Sequence, residues 1–320
     1  MKIGLISAIA GIPTRYPFDG YGGIERIVAD LSHAFQEMGI ETIVAGFTGT
    51  NAGDVNMEMT AETPMDRIDA DVVFDFSHRK IYQSEKFSIP FWSDVVGKNP
   101  LFPTWAVRWA MFGNPTEPII YPGIDVKSIM ESVRETDRSG YVYVGRIAPY
   151  KGIDTLLDLM RRFNISIEFY GHVGPYSDPV YAERVDGRLR EMGANVIHRN
   201  PSNAEIYDAF SHARAFLFMP DWNMLNYNIP RPIESFGITA VESLACGTPV
   251  YTDRMVSGIR EIISTRYGVV LPSYIVKWDS SIVFDRNMMQ ERAVYFSSEN
   301  YAKRLLDHVG RVNGIGSESS

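Results

Sequence analysis

Short apolar runs of strand length alternate with amphipathic stretches along almost the whole chain, and this alternation is the strongest limit on its fold. Residues 2–7 form a continuous apolar run. Residues 23–38 then place Ile24, Ile27, Val28, Leu31 and Phe35 on one helical face. Strands are expected at 40–45, 71–76 and 89–92. Strands separated by helices, with few tight hairpin signals, specify mostly parallel sheets covered on both faces.

The series restarts at 141–145 (YVYVG), with a helix at 153–162 and a strand at 165–170. Helices at 179–192 and 203–213, a strand at 215–219, a helix at 237–246 and a strand at 249–252 complete it. Tyr121-Pro122-Gly123 separates the two series, because Pro and Gly break regular structure. This gives an expected first domain of residues 1–123 and a second of 124–299. The predicted class is α/β, two Rossmann-like domains whose parallel sheets face a central cleft, with ligands at the strand carboxyl ends.

Charge and cysteine content narrow the function. With 31 Lys and Arg against 39 Asp and Glu, the surface is unsuited to wrapping a polyanion, so no nucleic-acid partner is expected. Cys246 stands alone, which precludes an intrachain disulfide and fits a reducing cytoplasm. No run approaches the ~20 apolar residues of a spanning helix. A soluble cytoplasmic protein is expected, without membrane association. The segment after Gly310, RVNGIGSESS, is short of apolar anchors and is expected to be loose.

The most informative segment is 234–250, ESFGITAVESLACGTPV. It reads as a loop entering a helix at Gly237 and a Gly-Thr-Pro exit into a buried strand. The helix start presents the backbone N–H groups of Gly237, Ile238 and Thr239 at the positive end of the dipole, an anion site suited to a diphosphate. Glu234 is placed to take hydroxyls of a transferred sugar and Glu242 those of a ribose. A fully helical segment would separate them by ~12 Å, the scale of a nucleotide sugar. The competing reading is a solvated carboxylate and a cap on an ordinary amphipathic helix.

This segment resembles the E-x7-E signature of glycosyltransferase family 4, with its Gly-x-Pro-Val ending. Residues 141–153, YVYVGRIAPYKGI, are similar to the Gly-Arg–x(4)–Lys-Gly element that opens the second domain of that family. There Arg146 and Lys151 are two cations beyond a strand end, suited to a diphosphate leaving group. Gly20-Tyr-Gly22-Gly23-Ile-Glu25 resembles the glycine-rich loop of the family's first domain, with Gly22 and Gly23 beneath the donor phosphate. Asp75-Phe-Ser-His78 is a looser match, in which His78 bonds a sugar hydroxyl or helps place the acceptor.

Other motifs are set aside. Gly20-x-Gly22 fails as a dinucleotide fingerprint, because Glu25 stands where the third glycine belongs and a long loop precedes it. Asp69-Ala-Asp71 spells a metal-binding D-x-D but precedes its strand, so it reads as a polar strand entry. His172, His198 and His212 lack metal-ligand spacing, and His198 is more simply a loop residue than part of a nucleobase pocket. The aromatic run 105–113 reads as a buried helix. Residues 1–120 hold 9 Lys and Arg against 15 Asp and Glu, poor for attraction to anionic lipid. Residues 221–231 read as an insertion before the signature.

The resemblance implies the GT-B fold, a helix at 300–312 that crosses back to the first domain, and a retaining hexosyl transfer. The donor would be a nucleoside-diphosphate sugar, UDP- or GDP-linked. The acceptor would be a sugar, glycoconjugate or small molecule. No metal or other cofactor is implied. Glu234 and His78 would be the catalytic residues. Arg146, Lys151, Gly22, Gly23, Gly237, Ile238 and Thr239 would hold the donor diphosphate, and Glu242 the ribose. Two alternatives remain open: another GT-B enzyme, such as an epimerase or phosphorylase, and a non-catalytic nucleotide-sugar-binding protein.

Overall fold

The computed structural model describes residues 1–7, 11–53, 55–58, 68–77, 87–89, 100–104, 107–108, 116, 118–134, 136–174, 177–219, 234–253, 258–271, 278–279 and 281–312. His78, the insertion 221–231, the tail after 312 and most of the run 105–113 lie outside them; of that run, Val107 and Arg108 are described and buried. Two compact units form, Met1–Val126 with Tyr295–Ser320 and Lys127–Val294. Among the described residues no helix is long and apolar enough to cross a membrane.

In the first unit, β1 (Lys2–Ile6) is followed by α1 (Gly23–Glu37), β2 (Glu41–Gly46), β3 (Val55–Glu58), β4 (Val72–Asp75) and β5 (Phe87–Ser88). The strands pair in parallel in the order β3-β2-β1-β4-β5. Ile3, Leu5 and Ile6 of β1 are wholly buried, as a central parallel strand covered on both faces requires. Ile27, Val28, Leu31 and Phe35 form the apolar face of α1 on this sheet, the spacing that the sequence displays. Asp69 and Asp71 both engage Lys2, at the amino end of β1 and away from the strand carboxyl ends.

The second unit begins within α2 (Val126–Ser132) and continues with β6 (Tyr141–Arg146), α3 (Ile153–Phe163), β7 (Ile167–His172), α4 (Pro179–Glu191), β8 (His198–Arg199), α5 (Asn203–His212), β9 (Ala215–Phe218), α6 (Ile238–Ala245), β10 (Val250–Thr252), α7 (Ile259–Ile262), β11 (Gly268–Val270) and α8 (Arg286–Tyr295). Its six strands are parallel in the order β11-β10-β9-β6-β7-β8. Both sheets are therefore doubly wound α/β sheets, with strand order reversing beside β1 in one and beside β6 in the other. Local chemistry fixes the helix starts. Asp178 accepts from the N–H groups of Val180 and Tyr181, and Ser202 with Glu205 forms a capping box.

The chain then returns to the first unit as α9 (Ser298–Val312), whose Tyr301, Ala302, Leu305 and Val309 are buried and which packs on α1. The outgoing and returning segments run side by side. Ile124 N–H donates to Phe296 O at 3.1 Å, and Ser298 N–H donates to Ile124 O at 2.8 Å. Arg304 ties both down, reaching Tyr121 O at 2.9 Å and Tyr295 O at 3.0 Å. On the outgoing side, Asp30 Oδ2 accepts from Asp125 N–H at 2.8 Å while Tyr16 Oη donates to Asp125 Oδ2 at 2.9 Å. These bonds explain why residues 124–126 group with the first unit although the Pro-Gly break lies at 122–123.

Two tests follow from this junction. A Cβ on Gly123 would stand 2.2 Å from Ser297 O, against backbone that cannot swing away. Gly123→Ala should therefore destabilise the protein by about 1–3 kcal/mol, read as a lower urea midpoint. Burial raises the Asp30 carboxyl to about 6, against the opposing charge of Arg26. The folded form then keeps a proton that the unfolded chain has lost, so this contribution is full below about pH 4 and gone above about pH 6. Asp30→Asn keeps the acceptor for Asp125 and should flatten the stability–pH curve in that window, measured by thermal unfolding.

Candidate functional site

Strand order in the second unit reverses between β6 and β9, the position in an open α/β sheet where ligands bind at the strand carboxyl ends. The candidate residues of this unit gather there. Arg146 ends β6, and the chain then makes a tight 3-10 turn, Pro149–Lys151, before α3. Gly152 joins turn to helix with φ 72, the left-handed region that favours glycine, and a Cβ there would lie 1.8 Å from Met219 O, just past β9. This close approach sets Lys151 over the end of β9, with its ammonium 5.6 Å from the centre of the Phe218 ring.

Lys151 Nζ lies 2.5 Å from Glu234 Oε2, a pair joined across 83 residues with each side chain about one-fifth exposed. Burial works against the ammonium charge, but the charge and hydrogen bond of Glu234 outweigh it and raise the Lys151 pKa. Arg146 donates to Tyr150 Oη, and the Tyr150 ring also lies 5.7 Å from the Lys151 ammonium. Two cations and a carboxylate therefore meet at the strand carboxyl ends, with a phenol oriented between the cations.

Glu234 is held by its backbone. Its carbonyl accepts from Gly258 N–H at 2.8 Å, and a Cβ on Gly258 would lie 2.5 Å from Ser235 O. Arg292 in turn bonds the carbonyls of Glu261 and Ile262 at the end of α7, fixing the segment that carries Gly258. The loop reaches α6 through Gly237, whose φ is 96. Ala240 and Val241 N–H return to Gly237 O, so the N–H groups of Gly237, Ile238 and Thr239 precede the helical ladder. Only the second half of the Glu234–Glu242 segment is helical. Glu242 itself is 3% exposed, inside the unit. At the far end of α6, Arg138 bonds Cys246 O at 3.0 Å and Gln290 bonds Ala245 O at 3.1 Å, satisfying its last carbonyls.

One neighbour is a histidine that the sequence offered only without metal-ligand spacing. His172 ends β7 in register with Arg146, and burial together with the Arg146 charge lowers its pKa, which favours the neutral imidazole. The strand was expected at 165–170, so its extension to His172 comes from the structure. His198 is exposed and stacks on Tyr170 with ring centres 4.4 Å apart, and His212 bonds Asp208 O within α5.

In the first unit, strand order reverses between β1 and β4, and the glycine turn follows β1. Gly22, with φ 137, is the N-cap of α1, and Gly23 is the first residue of the helix. Gly22 and Gly23 thus open the helix that connects β1 to β2.

Residues 126–281 match the sequence profile of the family Glycosyl transferases group 1. An uncharacterized glycosyltransferase of Methanocaldococcus jannaschii is 30% identical over 154 residues, which are 48% of this chain and 38% of that protein. The chain thus spans well under half of that relative. Among solved structures, AviGT4, a glycosyltransferase involved in avilamycin A biosynthesis, superposes with a TM-score of 0.76 at 19% identity over 97% of each chain. Anabaena HepE, solved in complex with UDP and glucose, gives a TM-score of 0.66 at 12% identity, over 97% of this chain and 100% of that one. The fold is GT-B, and residues 126–281 are similar to the group 1 glycosyl transferases.

Gly152→Ala should be the most damaging single-methyl change at this site, because it combines a left-handed φ with a backbone collision. A loss of at least about 2 kcal/mol is expected in denaturant unfolding. The same methyl added at Gly187, inside α4 with nothing within 4 Å, should instead raise the midpoint, by about 0.5–1 kcal/mol of helix propensity.

Proposed function

We propose that the chain is a retaining, metal-independent glycosyltransferase that moves a hexosyl group from a nucleoside-diphosphate sugar to an acceptor hydroxyl. The observation that carries this reading is the convergence of Arg146, Lys151, Glu234 and the start of α6 at the reversal point of the second sheet. The similarity of residues 126–281 to the group 1 glycosyl transferases supports the activity. The UDP and UDP-glucose complexes of HepE support a nucleotide-sugar donor.

Each side chain has a role in this reading. The diphosphate lies against the N–H groups of Gly237, Ile238 and Thr239, and the cations Arg146 and Lys151 bind its oxygens. As the glycosidic bond breaks, negative charge grows on the departing diphosphate, and these fixed groups are worth more to that state than to the bound donor. Glu234 holds Lys151. When phosphate oxygens take over the ammonium, the Glu234 carboxylate turns to the hydroxyls of the sugar. Glu242 takes the ribose hydroxyls, and in the first unit Gly22 and Gly23 offer backbone to a donor phosphate. His78 serves the sugar or the acceptor. The acceptor is a sugar, glycoconjugate or small molecule that attacks from the side of the leaving group.

The test is a thermal-shift series with UDP, GDP, ADP, dTDP and their common sugars on the wild type and on Arg146→Ala/Lys151→Ala. One nucleotide family should raise the melting temperature of the wild type and not that of the double variant. No shift at millimolar concentration would overturn the reading in favour of a phosphorylase or a non-nucleotide ligand. A donor that is turned over without any acceptor would favour an epimerase.

A further inference from the structure

Glu25 is a buried carboxylate set directly against the glycine turn. It lies in the first turn of α1, two residues past the glycine pair, and is 4% exposed. Its Oε2 would stand 3.0 Å from a Cβ on Gly22, beside Phe18 Cζ at 2.9 Å, so the carboxyl lies directly against the glycine turn. Its Oε1 is buried and has no hydrogen-bond partner among the described residues. Among the described residues, the only group that favours its charged form is its own backbone N–H. Neither Asp19 on the turn nor Arg26 and Asp30 on α1 contributes, and Arg26 is paired with Asp30 at 3.6 Å. No charged group from another described element acts on it.

The surrounding backbone points the same way. Gly22 caps α1 with no side-chain hydrogen bond, and Arg26 N–H is the first to return to Gly22 O. The N–H groups of Gly23, Ile24 and Glu25 precede the ladder at the positive end of a 15-residue helix. This end attracts an anion. A charged Glu25 would already be that anion, would repel a second one, and would bury an unpaired charged oxygen. An uncharged Glu25 has the opposite need, because its buried O–H requires an acceptor.

We propose that the glycine turn ahead of α1 binds a phosphoryl oxygen, with Glu25 as an uncharged hydrogen-bond donor, so that nucleotide binding draws one proton from solvent onto this side chain. The inference rests on the nucleotide-sugar reading above. The balance is simple: ligand and one proton enter together, and no bond other than O–H is formed. Burial raises the Glu25 carboxyl to about 7, so the free protein stands between the two forms near neutral pH and the ligand selects the protonated one.

The experiment is calorimetric titration of the full chain with UDP and with GDP, at pH 6 and pH 8, in buffers of different ionisation enthalpy. Glu25→Gln keeps the shape and a donor but cannot ionise, and it reports any proton taken up by the nucleotide itself. At pH 8 the wild type should take up nearly one proton more per nucleotide than the variant. Between pH 6 and pH 8 its Kd should rise about tenfold more than that of the variant. Equal proton counts and parallel pH profiles in the two proteins would overturn the role of Glu25 and leave the nucleotide site standing. Tighter wild-type binding at pH 8 would also overturn it, identifying a charged carboxylate that accepts from ligand hydroxyls. Binding of neither nucleotide to either protein would overturn the nucleotide reading together with this one. Should Glu25→Gln fail to fold in a thermal melt, a wild-type count near zero at pH 8 is sufficient to overturn the proposal.

Discussion

The approach of Gly152 to the Met219 carbonyl is the constraint on which the second-unit site depends. It locks the turn after β6 onto the end of β9, the two strands where the sheet order reverses. Lys151 is then delivered to Glu234 by backbone geometry, and neither side chain has to search for the other. The same economy holds on the acidic side, where Gly258 touches the backbone of Ser235 and Phe236 and bonds Glu234 O. Each charged group thus sits next to a glycine whose missing Cβ permits a close approach of two chain segments. An ion pair held this way loses little side-chain entropy on forming, which is the usual cost that makes exposed pairs weak.

Carboxylates in the first unit obey a different logic. Asp30 is buried, yet it is satisfied by Arg26 and by the N–H of Asp125, and it secures the segment through which the chain leaves the unit. Glu25, five residues earlier, is equally buried, but one of its oxygens has no partner among the described residues. A structural carboxylate and one poised for a ligand are distinguished by this satisfaction of their oxygens, since burial alone raises both.

Periodicity made most elements legible. The apolar face of α1 and the wholly buried β1 follow from spacing alone, and their observed bounds, Gly23–Glu37 and Lys2–Ile6, lie within a residue or so of the expected ones. Short edge elements were not legible. Val55–Glu58 carries only two apolar residues, His198–Arg199 is a two-residue edge strand, and Gly268–Val270 pairs only along β10. Their strand character comes from a neighbour's unpaired backbone, a tertiary effect with no local pattern. In the site, Arg146, Lys151 and Glu234 were visible as residue types at strand and helix ends. Their pairing was not, because it depends on Gly152 and Gly258 meeting segments far away in sequence. Likewise His172 gained its place from register with Arg146, which sequence does not encode locally.

On the proposed reading, both phosphate sites are partly filled by the protein's own acid before a ligand arrives. Glu234 occupies Lys151, and Glu25 lies at the positive end of α1. The pairing with Glu234 lowers the cost of the Lys151 charge, since an unpaired buried ammonium would be destabilising, whereas Glu25 leaves a buried oxygen unsatisfied. Each also weakens binding, because the ligand must displace or neutralise an internal carboxylate. At Lys151 the ligand's oxygens must replace a carboxylate, which a neutral sugar cannot do and a phosphoryl group can. At α1 the ligand must accept from a proton-bearing donor, which again favours an oxyanion. The internal acids therefore act as a filter on ligand charge.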